Sequence, residues 1–110
     1  MASRRNNQRV EAGISSAIRE YLDARRIYNV RVNSGKVRGP SGSWIHLAPA
    51  GTPDRLACYR GRFIAIEVKK PGEEPSLEQL EKHVEIRRNG GIVIVAESVD
   101  DVIKAIGSIE

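Results

Sequence analysis

Three side chains that can do chemistry, Asp54, Glu67 and Lys69, lie on two consecutive strand-like segments of the sequence. Arg60 and Gly61 separate these segments and predict the tip of a β-hairpin. In the resulting register Asp54 lies directly opposite Glu67, and Lys69 projects from the same face two residues later. The two carboxylates would repel each other, and Glu67 interrupts an otherwise apolar strand. A carboxylate at such a position is costly unless it is paired or bound to a metal.

Two carboxylates and an ammonium group at a strand end are what a divalent-cation site for phosphoryl chemistry requires. Mg²⁺ takes oxygen ligands, typically one or two carboxylates together with water and substrate phosphate. Such a cation can activate water and stabilise charge on the phosphate. Lys69 would position the water or neutralise the phosphate, and would keep both acids ionised in the metal-free protein. The alternative is structural: Asp54 caps the turn after Pro53, while Glu67 and Lys69 face solvent on an edge strand.

Glu11 adds a third carboxylate near the inward face of the first predicted helix. It precedes Ile14 by three residues and Ile18 by seven, so it shares the edge of the apolar face. A glutamate in the first helical turn also interacts favourably with the helix dipole. Taken alone, the sequence favours this second interpretation.

The rest of the pattern supplies the elements that must position these residues. Apolar residues spaced three or four apart predict helices, and alternating or continuous apolar runs predict strands. Ser76 with Gln79 three residues later predicts a capping box at a helix start. The sequence therefore predicts an α/β fold with a mixed β-sheet flanked by helices, in the order α-β-β-β-β-α-β-α. The predicted elements are a helix over 10–26, strands over 27–33, 44–48, 54–59 and 62–69, a helix over 76–89, a strand over 92–96 and a last helix from Val99, with a Gly/Ser/Pro-rich loop over 33–43.

Length and composition exclude several classes of protein. The 110 residues predict a single domain over 1–110, with 1–8 as a flexible basic tail. The chain is 40% hydrophobic and 29% charged, which is typical of a globular protein. A single cysteine, Cys58, excludes an internal disulfide framework. Because residues 1–10 are polar and basic and no apolar run could span a membrane, the sequence predicts a cytoplasmic protein without a membrane partner.

Charge is distributed unevenly along the chain. Residues 1–70 contain 14 basic and 5 acidic residues, a net charge of +9, whereas residues 71–110 contain 4 basic and 9 acidic residues, a net charge of −5. The basic part suggests a polyanionic partner, although a solubilising surface would look the same. Aromatic residues are few and no recognition helix is visible, so a nucleic-acid partner would be recognised by its shape and backbone.

The motif Gly-Thr-Pro-Asp at 51–54, followed after twelve residues by Glu67, Val68 and Lys69, resembles the PD-(D/E)XK nuclease signature. The sequence is more closely similar to the VRR-NUC domain, a compact branch of that superfamily. The resemblance extends over nearly the whole chain. It includes Glu11 in the first helix, the segment 31–35, the strand 61–69, the helix start at 76–79, Gly90 and Gly91 before an apolar strand, and the turn at 96–99.

This resemblance implies a restriction-endonuclease-like fold and assigns roles to individual residues. Lys69 occupies the position of the catalytic lysine. Gln79 matches a helix glutamine close to the active site, in addition to its capping-box role. The implied metal ligands are Asp54, Glu67, the Val68 backbone carbonyl and, in an accessory role, Glu11.

The sequence thus predicts a Mg²⁺- or Mn²⁺-dependent endonuclease that cuts branched DNA, most specifically the four-way junction. The resemblance further implies a homodimer of the stand-alone type found in bacteria and phages, which would act in a bacterial or phage-infected cell. Flaps, nicked duplex or plain duplex are alternative substrates. A non-catalytic DNA-binding or assembly protein with the same fold is the alternative of another class. The residues predicted to contact DNA are Arg9, Arg31, Ser34, Lys36, Arg38 and Lys70.

Overall fold

The computed structural model describes residues 4–109, with side chains from Asn7 to Ile109. Within this range no helix combines the length and apolar character that a membrane crossing requires. The helices are α1 (Arg4–Ala24), α2 (Leu77–Arg88) and α3 (Val99–Ile109). The strands are β1 (Tyr28–Arg31), β2 (Lys36–Arg38), β3 (Trp44–His46), β4 (Arg55–Tyr59), β5 (Arg62–Val68) and β6 (Ile92–Ala96).

A four-stranded mixed sheet in the order β1-β4-β5-β6 forms the centre of the fold. Strands β1, β4 and β5 are antiparallel, and β6 runs parallel to β5 after a crossover through α2. The β4–β5 hairpin pairs Arg55 with Ile66, so the register continues to Asp54 opposite Glu67. The predicted mixed α/β fold and the predicted hairpin register are both confirmed.

The main core lies between the sheet and helices α1 and α3. Alternate residues of β5 point toward these helices, because successive side chains of a strand face opposite sides of the sheet. The other face of β5 carries Ala65 and Glu67, and there Glu67 contacts His83 of α2. One face of β5 therefore packs in the apolar core, and the other face carries the polar contact with α2. The apolar cluster contains Ile18, Leu22, Ile64, Ile66, Val68, Ile94, Val102 and Ile106.

Two boundaries differ from the predictions. Helix α1 begins at Arg4, so residues 4–8 of the predicted tail are helical, and residues 1–3 of that tail lie outside the described residues. The sequence of this first part of α1 has no apolar periodicity, so periodicity did not predict its helix. The loop predicted over 33–43 contains β2, which pairs with β3 in a separate two-stranded sheet. One strand more than predicted is therefore present, and all of its residues are exposed.

Candidate active site

Glu67 lies at the end of β5 with its side chain fully buried. Its Oε1 is 3.1 Å from Nε2 of His83 on α2. Its Oε2 is also buried and has no hydrogen-bond donor among the described residues. A buried carboxylate oxygen without a donor is unfavourable in a folded protein, and it marks Glu67 as a residue selected for something other than stability.

Asp54 is held against the end of β5 by the backbone. The Val68 N–H donates a hydrogen bond of 2.7 Å to Asp54 Oδ2, which fixes the carboxylate next to Glu67. Burial, and then the neighbouring Asp54 carboxyl, raise the pKa of Glu67 to about 9. Lys69 lowers this pKa, but by less than burial and Asp54 raise it. The expectation that Lys69 keeps both acids ionised in the metal-free protein is therefore wrong, because the desolvation of Glu67 dominates.

Glu11 of α1 joins Asp54 and Val68 in the wall of one cavity of about 360 Å³. The Lys70 backbone N–H donates a hydrogen bond to the Glu11 carboxylate, which orients it toward the end of β5. Burial raises the pKa of Glu11, and Glu73 and Asp54 raise it further. The structure thus places Glu11 beside Asp54, in the position that the resemblance implied. The interpretation of Glu11 as a first-turn glutamate is wrong, because α1 begins at Arg4 and has no acidic residue in its first turn.

Lys69 continues the geometry of β5 beyond its last paired residue. Its backbone N–H donates a 2.9 Å hydrogen bond to the Ala96 carbonyl of β6, which keeps the chain extended. By the two-residue period of a strand, Lys69 projects from the same face as Glu67. Its charge lowers the pKa values of both Glu67 and Glu11, so the ammonium group lies within electrostatic range of the acids.

The oxygen atoms at this strand end fit a hard divalent cation. Within residues 4–109, no three His, Cys, Asp or Glu side chains are grouped closely enough to enclose a metal ion by themselves. Mg²⁺ does not need such a cage, because it usually binds one or two carboxylates and completes its shell with water and substrate phosphate. The buried Oε2 of Glu67 beside the Asp54 carboxyl matches this open kind of site.

Comparisons with known proteins show the family to which the chain belongs. No family model matches the chain. A solved structure described as a VRR_NUC domain shares the fold, with a TM-score of 0.67 and 26% sequence identity over 89% of this chain and 95% of that one. A protein of Acyrthosiphon pisum secondary endosymbiont phage 1, named "Putative nuclease p44", is 38% identical over 66 residues, which cover 59% of this chain and 71% of the phage protein. The chain belongs to the VRR-NUC family of nucleases.

Gln79 of this VRR-NUC nuclease forms the predicted capping box at the start of α2. Its Oε1 accepts a 2.8 Å hydrogen bond from the Ser76 N–H, and its own N–H donates to Ser76 Oγ at 3.2 Å. The capping interaction occupies the side-chain oxygen of Gln79 and leaves its amide N–H₂ available. A catalytic role for Gln79 stays a prediction.

The residues predicted to contact DNA lie in α1, in β1, in β2 and at two loop positions, 34 and 70. Arg31, at the end of β1, lines the cavity that contains Glu11 and Asp54. On β2, Lys36 Nζ lies 5.0 Å and Arg38 Cζ lies 4.3 Å from the ring centre of Trp44 on β3. Their DNA contacts stay predictions, as do those of the remaining three. Of these, Arg9 and Ser34 are exposed, and Lys70 is half-buried next to Glu11.

His83 is the site residue that the sequence did not reveal. Sequence reasoning places it on the surface or in packing, because no partner lies at metal-binding spacing. In the structure it is 1% exposed and contacts Glu67. Burial lowers the pKa of His83, and Arg87 and Lys69 lower it further, so the imidazole is neutral at neutral pH. His83 shares a helical face of α2 with Gln79 and Ile86, and a histidine at this spacing is the signal that could have found it.

We expect His83→Leu to lower kcat/KM by about 10- to 100-fold and to raise the Mg²⁺ concentration needed for half-maximal activity. Leucine keeps the apolar volume but leaves Glu67 Oε1 without its partner. His83→Gln retains an N–H group for Glu67, so its activity should stay within a few-fold of wild type. Metal titrations of the cleavage rate measure both variants, and full activity of His83→Leu at limiting Mg²⁺ would contradict a positioning role.

Gly51 holds the turn before Pro53 and Asp54 against the first turn of α2. Its φ is +85°, and an added Cβ would lie 2.6 Å from the Glu78 carbonyl oxygen. We expect Gly51→Ala to destabilise the fold by about 2–4 kcal/mol and to reduce activity by displacing Asp54. Gly42→Ala is the matched control, because Gly42 has φ +84° but no atom within 4 Å of where a Cβ would be added, so it carries only the backbone strain. Equal unfolding midpoints for the two variants would contradict the contact with α2.

Proposed function

We propose that this nuclease is a Mg²⁺- or Mn²⁺-dependent endonuclease that hydrolyses phosphodiester bonds in branched DNA. The observation that carries the proposal is the Asp54–Glu67 pair at the end of β5. The two carboxyls adjoin each other, and Glu67 Oε2 is buried without a donor among the described residues. A divalent cation would turn this unfavourable arrangement into a favourable one.

The residues around the pair have complementary roles in hydrolysis. When bound, a divalent cation would supply charge neutralisation at the scissile phosphate and a lowered pKa for a water molecule. Lys69, on the same strand face as Glu67, orients the attacking water and stabilises negative charge on the phosphate. The Gln79 amide N–H₂ forms no hydrogen bond among the described residues and would donate to the phosphate or the water. The residues that would hold the cation are Asp54, Glu67, the Val68 carbonyl and, in the accessory position, Glu11.

The proposed substrate is the four-way junction, bound through its phosphate backbone. The basic residues near the cavity support backbone contacts, and such contacts position a protein without reading the base sequence. A homodimer would present two active sites to opposing strands of the junction. The apolar strand β6 lies at the edge of the four-stranded sheet, and such an edge is suited to pairing with a second copy. The relationship to a phage protein supports action in the cytoplasm of a bacterial or phage-infected cell.

The test compares cleavage of labelled four-way junction, flap, nicked duplex and plain duplex in Mg²⁺, Mn²⁺ or EDTA. We expect metal-dependent cleavage with the junction cut fastest. Metal-dependent cleavage without a preference for the junction would contradict the junction as the substrate and would favour flap, nicked duplex or plain duplex. DNA binding without cleavage, together with no Mg²⁺-induced rise in the unfolding midpoint, would instead identify a non-catalytic DNA-binding protein.

A further inference from the structure

Three arginines converge on a second cavity, of about 450 Å³, beside the active-site cavity. Arg19 comes from α1, Arg31 from β1 and Arg55 from β4. The two cavities share Ser15 and Arg31 in their walls. We call this second cavity the arginine pocket. It lies along α1, directly next to the proposed catalytic centre.

Two of these arginines face each other in the sheet. Arg31 is paired with Arg55 in the β1–β4 register, so the two side chains lie on the same face. Directly opposed like charges destabilise an antiparallel pair. The arrangement is the cationic counterpart of the Asp54–Glu67 pair. By the same reasoning, a group of opposite charge between the two side chains would offset their repulsion.

Arg55 is the most informative member because it is only 6% exposed. Its Nη1 donates a 2.6 Å hydrogen bond to Asn29 Oδ1, which is a neutral acceptor. Among the described residues, no carboxylate forms an ion pair with it. Burial lowers the pKa of Arg55, and Arg19 and Arg31 lower it further. Asp23 raises this pKa, but by less, so the charge of the buried guanidinium is compensated only in part. A bound anion would offset the remaining cost.

Asp23 is the acid in the wall of the pocket, and it is already engaged. Its Oδ2 lies 3.8 Å from Arg19 Nε, and its Oδ1 accepts a 2.9 Å hydrogen bond from Asn29 Nδ2. One carboxylate thus faces three guanidinium groups. The hydroxyl groups of Ser15 and Ser16 add neutral donors to the same wall. Guanidinium groups bind phosphate through paired N–H donors, so the pocket has the chemistry of a phosphate site.

We infer that the arginine pocket binds a phosphate group of the DNA strand other than the phosphate that is hydrolysed. The inference rests on the proposed function, because it takes the substrate to be DNA. A phosphate held here would fix the position of the strand relative to Asp54 and Glu67. An internal phosphodiester and a terminal phosphate share this chemistry, and the second experiment below separates them.

The first experiment measures the unfolding midpoint of the full chain in EDTA, with inorganic phosphate or with chloride of equal ionic strength. We expect phosphate to raise the wild-type midpoint, and the rise to be at least halved in Arg31→Met and Arg55→Met. The exposed Arg88 of α2 lies outside the pocket, so Arg88→Met should keep the wild-type rise. No rise in wild type, or an equal rise in Arg31→Met and Arg55→Met, would overturn the inference.

The unfolding midpoint of Arg55→Met in chloride distinguishes a binding role from a structural role. A structural role of Arg55 would make this variant less stable than wild type. Replacing a buried charge that lacks an ionic partner with an apolar side chain is often neutral or stabilising. We therefore expect Arg55→Met to unfold no earlier than wild type in chloride. If Arg55→Met does not fold, Arg19→Met provides the same phosphate test, because the Arg19 side chain is 66% exposed.

The second experiment measures DNA affinity in EDTA with 5′-phosphate duplexes, 5′-hydroxyl duplexes, and duplexes carrying one neutral methylphosphonate at successive positions. We expect Arg31→Met and Arg55→Met to weaken binding about five- to tenfold and to reduce the salt slope by about one. If the variants bind 5′-phosphate duplexes more weakly than wild type but bind 5′-hydroxyl duplexes equally well, the pocket binds a terminal phosphate. If their loss of affinity disappears when one particular backbone phosphate is replaced by methylphosphonate, the pocket binds that internal phosphodiester. The same penalty on every duplex, the methylphosphonate set included, would overturn the inference.

The two proposals fail in different ways. A phosphate-dependent rise in wild type that is reduced in Arg55→Met, without cleavage of any DNA, would support the pocket and contradict the nuclease mechanism. Metal-dependent cleavage with identical phosphate responses in all variants would support the mechanism and overturn the pocket.

Discussion

Replacing Glu67 with glutamine is expected to lower the cleavage rate by about a thousandfold or more and, at the same time, to stabilise the metal-free protein. Cleavage fails because a neutral amide does not hold a cation beside Asp54. Stability rises because the wild-type carboxyl is buried next to a second acid and has one oxygen without a donor among the described residues. A residue that costs stability and is required for activity is the expected signature of a functional site.

The stabilisation depends on pH in a defined direction. The pKa of Glu67 is raised to about 9 in the folded protein, whereas its usual value is 4.5. Between these values the folded chain keeps a proton that the unfolded chain has lost, so the free energy of unfolding falls as pH rises. Below the pKa that Glu67 has in the unfolded chain, the carboxyl is protonated in both states, and the free energy of unfolding does not decrease on its account. Glutamine has no proton to lose, so the advantage of Glu67→Gln grows from about pH 5 to pH 9.

Thermal unfolding in EDTA at pH 5.5 and pH 8.5 measures this effect. We expect Glu67→Gln to exceed wild type by on the order of 1–3 kcal/mol at the higher pH, and by little at the lower one. Glu85→Gln is the matched control, because the Glu85 side chain is 68% exposed and its loss should change neither activity nor pH dependence. A Glu67→Gln protein less stable than wild type at pH 8.5 would show that Glu67 is ionised and held by Lys69.

Local patterns were sufficient to predict the centre of this fold and most of the candidate site. The two-residue tip of the β4–β5 hairpin sets the register by itself, and so the opposition of Asp54 and Glu67 follows from neighbouring residues. The capping box of α2 is likewise a local feature, with Ser76 and Gln79 three residues apart. Features of this kind are visible in a sequence because their geometry depends on short separations.

The features that were missed depend on contacts between distant segments. His83 contacts Glu67 only because α2 crosses back over the face of β5, and helix periodicity alone does not show that packing. The Arg31–Arg55 opposition depends on the β1–β4 register, which no short turn connects. Strand β2 has only three residues, all exposed, so neither burial nor alternation identifies it. Its pairing with β3 is what makes it a strand.

Two adjacent lysines give the sharpest test of the catalytic assignment. Lys69 continues the face of β5 that carries Glu67, whereas Lys70 follows the last hydrogen bond to β6 and begins the turn that the Glu73 N–H closes on the Lys70 carbonyl. Lys69 is assigned to the reacting phosphate, whereas Lys70 is assigned to the DNA backbone. The two side chains have the same chemistry and similar burial, so each serves as the control for the other.

We expect Lys69→Met to lower kcat by about a thousandfold with KM nearly unchanged, because its charge stabilises the transition state. Lys70→Met should instead raise KM several-fold and reduce the salt dependence of binding by about one phosphate contact, with kcat nearly intact. Steady-state cleavage of a labelled junction at several salt concentrations separates the two effects. Since methionine keeps the length and apolar stem of lysine, both variants should fold like wild type. If both variants changed KM and neither changed kcat, Lys69 would be a second backbone contact, and hydrolysis would depend on Asp54 and Glu67 without a catalytic lysine.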